Sequence, residues 1–246
     1  MKGNQVPEGK YPFIASILFK YNKDGFKHLC TGSIINDVTV MTAAHCLKSK
    51  DTSNYRVLIG QIYWPRKTIG YYYNIDNITV HPSYNESLKG FDIGLIKSKS
   101  KFQFNDHIGK VCLASPISKP DTTKCIAIGW GRTQTTGKNI SDWLNEATIP
   151  LQNDSVCLQY AKSMTNVEIN SKSIICAGNG MVGGPTTCNG DSGGPFICQI
   201  LKNPKRWLQF GISSFGFTPG GKCVANYTYF TRVSQFIDWT VDNAEN

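Results

Sequence analysis

Nine cysteines in a chain of 246 residues restrict what this sequence can become more than any other feature does. A reduced cytosolic enzyme rarely carries so many, and their wide, irregular spacing contains no Cys-x-x-Cys pair of the kind that holds zinc. An oxidising, secretory compartment and a disulfide-stapled fold are therefore expected. Eight paired cysteines admit on the order of a hundred connectivities, so spacing alone leaves the framework open, and an odd cysteine remains in any of them.

Between the cysteines the apolar runs are short. Phe13 to Phe19, Ser33 to Thr42, Arg56 to Ile59, Tyr71 to Val80 and Ile93 to Ile96 read as β-strands, as do Lys124 to Ile128, Glu146 to Leu151, Pro195 to Ile200, Trp207 to Ser213 and Tyr227 to Val233. Their spacing is typical of sandwiches or barrels, and no repeat of solenoid or propeller length is present. Helical periodicity is confined to Ser155 to Lys162 and to the chain end, where Ser234 is placed to cap a helix over residues 234–243 that carries Phe236, Ile237 and Trp239. The fold class is all-β with a C-terminal helix. With 40% apolar residues, the chain can bury a real core as one domain or two halves. No stretch approaches the roughly 18 uninterrupted apolar residues of a membrane span. Met1 to Gln5 lacks the apolar run of a signal peptide, so the natural precursor is expected to begin upstream.

The formal charge of +9 can draw acidic substrates, heparin-like polymers or membrane surfaces. Lys97, Lys99 and Lys101 form one basic group, and Lys202, Lys205 and Arg206 another. No nucleic-acid motif accompanies them, and a solvated basic face is the expected reading. Five Asn-x-Ser/Thr sequons, at Asn77, Asn85, Asn139, Asn153 and Asn226, fit an extracellular glycoprotein.

Chemistry concentrates in Cys188-Asn189-Gly190-Asp191-Ser192-Gly193-Gly194-Pro195. A serine hydroxyl is a poor nucleophile unless a base takes its proton and donors await the oxyanion. Ser192 is crowded by glycines, whose backbone freedom lets amide N–H groups turn toward a reacting carbonyl. Thr42-Ala43-Ala44-His45-Cys46 offers a histidine in a small-residue turn beside a cysteine. Phe91-Asp92-Ile93-Gly94-Leu95 embeds an acid among apolar residues, where it must find a partner or suffer a desolvation penalty.

The order His45, Asp92, Ser192, with these flanks, resembles the chymotrypsin and trypsin family of serine endopeptidases, and the resemblance runs from Pro7 to Trp239. It implies one protease domain over residues 1–246, built of two six-stranded antiparallel β-barrels with the active cleft between them. The first would occupy about residues 13–110 and the second about residues 122–233. His45 would accept the Ser192 proton, Asp92 would orient His45, and the Gly190 and Ser192 amides would bind the oxyanion. Ser214 would support the acid, and Ser214-Phe215-Gly216 would pair with a bound peptide as an added strand, with Phe215 where Trp is usual. The family's framework joins Cys30 to Cys46, Cys125 to Cys198, Cys157 to Cys176 and Cys188 to Cys223. Cys112 would tether a propeptide chain, the alternative being a buried free thiol. Protein or peptide substrates and protein inhibitors are the implied partners. No metal or cofactor is required, and Gln61 to Lys67 lacks the carboxylates that calcium prefers in some relatives.

Specificity and activation follow from the same resemblance. Thr186 stands where trypsin-like relatives carry an aspartate, which disfavours cleavage after Lys or Arg. Gly216 leaves one wall of the pocket open, and Thr228 stands where deep-pocket relatives carry glycine, so small or medium apolar side chains are expected. Family members become competent when cleavage frees an Ile or Val ammonium that pairs with the acid before the serine, here Asp191. Aligning Pro12 places that residue just before Met1, so the chain as it stands is expected to have a poorly formed oxyanion hole and low activity. His28 matches the histidine that holds this acid in some zymogens, a surface histidine being the alternative. Two other classes compete: a non-catalytic homologue that binds partners through the cleft, and a polyanion binder using Lys97, Lys99 and Lys101. Intact His45, Asp92, Ser192 and Gly190 weigh against the first.

Overall fold

The computed structural model describes residues 3–21, 25–63, 70–87, 90–134, 139–166, 168–181, 183–217 and 223–244. The first half is a closed antiparallel barrel in the order β2-β3-β4-β7-β6-β5. Its strands are β2 (Ile14–Tyr21), β3 (Gly25–Ile34), β4 (Thr39–Thr42), β5 (Tyr55–Ile59), β6 (Tyr71–Val80) and β7 (Gly94–Ser98). Strand β2 begins with five buried residues in a row. Ala15 and Ile17 enter the first barrel's core, while Ile14 packs with Ile128, Trp130 and Ile197 of the second half. A strand covered on both faces loses its alternation. The run from Ser33 to Thr42 is two strands, because the Asn36 side chain accepts from Val38 N and Thr39 N and turns the chain between them.

The second half is a seven-stranded antiparallel sheet in the order β1-β9-β8-β11-β12-β13-β10. It contains β8 (Pro120–Gly129), β9 (Asn145–Thr148), β10 (Ile174–Ala177), β11 (Pro195–Ile200), β12 (Asn203–Gly216) and β13 (Thr228–Arg232), with β1 (Asn4–Gln5) added at the β9 edge. The resemblance implies a six-stranded barrel here. The six strands are present, but their ends meet through Gln152 N to Cys176 O and Gly178 N to Pro150 O, both 2.9 Å, and an isolated Leu151–Ala177 bridge, not through a continuous ladder.

Helix α1 (Asp154–Met164) is capped by Asn153, whose side chain accepts from Ser155 N. The C-terminal helix α2 (Ile237–Ala244) starts later than the Ser234 capping reading places it, because a 3₁₀ turn over Val233–Gln235 comes first and Phe236 is buried in the first barrel's core. The tail thus crosses back from the second half to the first, where Asn36 Nδ2 and Thr39 Oγ1 both donate to Ala244 O. Between the halves, fully buried Gln209 accepts from Ser33 Oγ at 2.8 Å and donates to Gly211 O at 3.2 Å. Cysteines are paired Cys30–Cys46, Cys125–Cys198, Cys157–Cys176 and Cys188–Cys223. Cys112 is unpaired and exposed, which removes the buried-thiol alternative. Among the described residues no helix is long and apolar enough to cross a membrane.

Candidate active site

Strand pairing sets the histidine beside the acid. Strands β4 and β7 run antiparallel with Thr42 opposite Gly94, so the 3₁₀ turn Ala44–Cys46 that follows β4 meets the segment that precedes β7. The Cys30–Cys46 bridge ties that turn to β3. Phe91, just before the acid, has φ 55°, a left-handed backbone costly for a non-glycine residue. Its ring stacks on His81 and meets Phe236 edge-on, and this packing offsets the strain.

Asp92 is then held from four sides. His45 donates to it twice, from its backbone N at 2.9 Å and through Nδ1 at 2.7 Å. Ser214 Oγ donates to Oδ2 at 2.5 Å, and Thr231 Oγ1 donates to the Asp92 carbonyl at 2.8 Å. Burial raises the Asp92 pKa, but the hydrogen bonds and charge of His45 and the bond from Ser214 outweigh it and leave the carboxyl below its ordinary value. A carboxylate can only accept, so the His45 proton sits on Nδ1 and Nε2 is left as the ring's acceptor.

Ser192 lies in the turn before β11, and that turn is fastened to both halves. Thr31 N on β3 donates to Ser192 O at 2.8 Å, while Gly193 N donates to Ser213 O at 2.7 Å and Ser213 N to Gly194 O at 2.8 Å. The Gly190 carbonyl accepts from Thr31 Oγ1 and from His28 Nε2, each at 2.9 Å. Gly190 has φ 99°, a conformation open to glycine at little cost. Among the described residues, the Gly190 and Ser192 N–H groups have no protein acceptor, whereas the neighbouring Asp191, Gly193 and Gly194 amides all donate to carbonyls.

His28 and Asp191 do not pair with each other. His28 is buried, donates to Gly190 and takes the Ser16 hydroxyl on Nδ1 at 2.7 Å. Burial lowers its pKa to about 4. Asp191 turns the other way and accepts from Gly131 N and Cys188 N, each at 2.8 Å. Burial pushes its pKa up to about 7, with those amides acting in the opposite sense. A Cβ at Gly131 would overlap this carboxylate, so the Gly129-Trp130-Gly131 stretch is a part of the site that the sequence reading missed. Its two glycines around a tryptophan were the available signal.

The predicted pocket residues come together as well. Thr186 and Thr228 are both buried, with their hydroxyls 2.8 Å apart, and Thr187 N donates to Thr228 Oγ1 at 3.3 Å. Gly216 lies opposite Thr228 in the β12–β13 ladder, and Phe215 lies opposite Tyr229, on which its ring stacks at 4.7 Å. A cleft of about 320 Å³ beside the His45–Asp92 pair is lined by Lys48, Tyr84, Asn85, Glu86, Gly90, Ser214 and Phe215. Desolvation and the nearby Asp92 and Glu86 charges raise the Tyr84 pKa. Nothing in the sequence marked this wall. Cys30, His45 and Cys46 place ligand atoms within 4.8 Å of one another, but the two sulfurs are bonded to each other and offer no thiolate. Trp64 to Lys67, on which the calcium reading partly rests, and residues 1 and 2 lie outside the described residues. Of the basic cluster, Lys101 pairs with Asp37 at 2.8 Å on the exposed surface.

A serine turn fastened to both β-folds and a histidine held on a buried acid are features that serine endopeptidases combine. The family model described as Trypsin matches residues 1–240, and the chain belongs to the trypsin family. Serine protease 28 of Mus musculus is 31% identical over 247 residues, covering 96% of this chain and 86% of that protein. Chymotrypsin-C of Bos taurus is 35% identical over 228 residues, covering 91% of this chain and 81% of that protein. Chymotrypsin-C of Mus musculus is 32% identical over 241 residues, with 96% and 85% covered.

Proposed function

We propose that this protein is a secreted serine endopeptidase, made as a zymogen, that cleaves after small or medium apolar side chains. His45 Nε2 takes the Ser192 proton as Oγ attacks the scissile carbonyl carbon. The Gly190 and Ser192 amides receive the negative oxygen, and His45 then gives the proton to the leaving amine. Water repeats the sequence on the acyl-enzyme and restores the serine. The observation that best supports this reading is the double hold of Asp92 on His45, together with the Gly190 and Ser192 amides, which no carbonyl of the described residues occupies.

The Thr186–Thr228 pair supports the preference, since it offers hydroxyls but no charge to a substrate side chain. Burial of Asp191 supports the activation step: an ammonium released by processing supplies the cation that a buried carboxylate needs, and without it the oxyanion hole is weak. The disulfides and the five sequons support secretion. Exposed Cys112 fits a tether to a propeptide chain, and protein inhibitors are expected to enter the same cleft. The test is a cleavage profile of processed enzyme on a peptide library, with Ser192→Ala alongside. Turnover after Ala, Val, Leu or Phe that Ser192→Ala abolishes is expected. Equal or faster turnover after Lys or Arg would overturn the preference, and turnover surviving in Ser192→Ala would overturn the chemistry.

A further inference from the structure

We propose that Asn85 is an N-glycosylation site whose glycan stands at the rim of the catalytic cleft and admits extended peptides while obstructing folded proteins. This deepens the endopeptidase reading and rests on it. The sequon Asn85-Glu86-Ser87 is one of five, and what sets it apart is its place: Asn139 is exposed as well but does not line the His45–Asp92 cleft. Asn226 is committed elsewhere: Nδ2 donates to Gly180 O at 2.7 Å and Oδ1 accepts from the Tyr160 hydroxyl at 3.0 Å. Asn77 lies within β6 and turns its Nδ2 to Thr79 Oγ1. Asn153 is exposed and makes the same kind of Oδ1 turn at the start of α1, but it does not line the cleft. Asn85 is exposed, its Oδ1 accepts from Ser87 N at 2.9 Å, and its Nδ2 has no acceptor among the described residues. That local turn occupies Oδ1 and leaves the amide nitrogen of an exposed side chain for transfer.

In the transfer, Nδ2 attacks C1 of a lipid-diphosphate-linked oligosaccharide. The C1–N bond forms, and the C1–O bond breaks with its electron pair leaving on the diphosphate. The amide proton passes to a base of the transferase. No electron donor or acceptor is needed.

Position gives the modification its consequence. Asn85 and Glu86 line the same cleft as His45, Asp92, Ser214 and Phe215, and Tyr84 beside them is fixed through its N–H to His81 O at 2.9 Å. A glycan rooted on this ordered turn fills space on the solvent side of the cleft. A peptide lying extended along the end of β12 stays below it, whereas a folded protein must bring a broad surface against the rim. The excluded contact acts on association of large partners and leaves the chemistry unchanged.

The experiment uses processed enzyme secreted from an animal-cell host as wild type, Ser87→Ala, Ser87→Thr and Ser192→Ala. Ser87→Ala removes the sequon while keeping the backbone donor to Asn85, and Ser87→Thr restores the sequon. Glycopeptide mass analysis is expected to find Asn85 occupied in wild type and Ser87→Thr and bare in Ser87→Ala. Short-peptide kcat/KM is expected to stay within about twofold across these three, while Ser87→Ala gains about tenfold in cleavage of a folded protein and in association with a folded protein inhibitor. A bare Asn85 in wild type, or equal rates toward folded partners in all three, overturns the proposal. Peptide turnover that survives in Ser192→Ala sinks the endopeptidase reading alone, because occupancy and inhibitor association are read independently of it.

Discussion

His28 and Asp191 sit on either side of the Gly190 peptide and titrate in opposite directions. The folded pKa of His28 is lowered to about 4. As pH falls from its ordinary value of about 6.5 toward 4, the unfolded chain takes up a proton that folded His28 refuses, and stability is lost. Asp191, raised to about 7, works the other way: the folded state keeps a proton that the unfolded chain releases, so stability is lost as pH rises from about 4 toward 7. Replacing His28 isolates its half of the balance. The difference in unfolding free energy between wild type and His28→Gln should change by roughly 3 kcal/mol between pH 6.5 and 4, with wild type losing ground in acid. Urea melts across that range measure it, and a pH-independent difference would contradict the assignment. Removing one hydrogen bond to an ionised carboxylate with Ser214→Ala should lower kcat by roughly 10- to 100-fold, with KM nearly unchanged. A KM effect of the same size would place Ser214 in substrate binding instead of acid support.

At the scale of elements, the proposed specificity pocket rests on the β12–β13 ladder. Gly216 and Thr228 are paired across it, and the Thr186 hydroxyl lies 2.8 Å from that of Thr228. Thr228→Gly removes the branched side chain from that pocket, so the ratio of kcat/KM for Phe over Ala substrates should rise about tenfold, as read from matched peptide substrates. An unchanged ratio would show that pocket depth is set elsewhere. Legibility in the sequence followed the physical signal at each element. Tyr71 to Val80 was visible as a strand and has those same limits in β6, because the run is long and bounded. Ile174–Ala177 was not, because four buried residues in a row show no alternation. The Asn36 turn inside the Ser33 to Thr42 run was hidden by apolar residues on both sides. Motif residues His45, Asp92 and Ser192 were readable because their local chemistry is unusual. The cleft wall of Tyr84 and Glu86 was not, since it exists only once the barrel folds.

For the whole molecule, the two halves are joined at the site they share. Thr31 of the first barrel holds the Ser192 turn of the second, and Ser214 of the second holds Asp92 of the first. The tail from Val233 to Ala244 straps the halves together, with Phe236 in the first barrel's core beside His81 and Phe91. Phe236→Ala should cost about 3–5 kcal/mol of stability and lower activity beyond what unfolding explains, because Phe91 loses a ring that supports its left-handed turn next to Asp92. Calorimetry paired with active-site titration separates the two effects. Full activity per folded molecule would contradict that link.

In the proposed mechanism Ser192 carries the acyl group during turnover. Processed enzyme mixed with a slowly deacylating ester and quenched early should show one adduct per active molecule by intact mass. Peptide mapping should place it on the segment containing Ser192, and Ser192→Ala should show none. An adduct on another residue, or ester turnover retained in Ser192→Ala, would contradict the account.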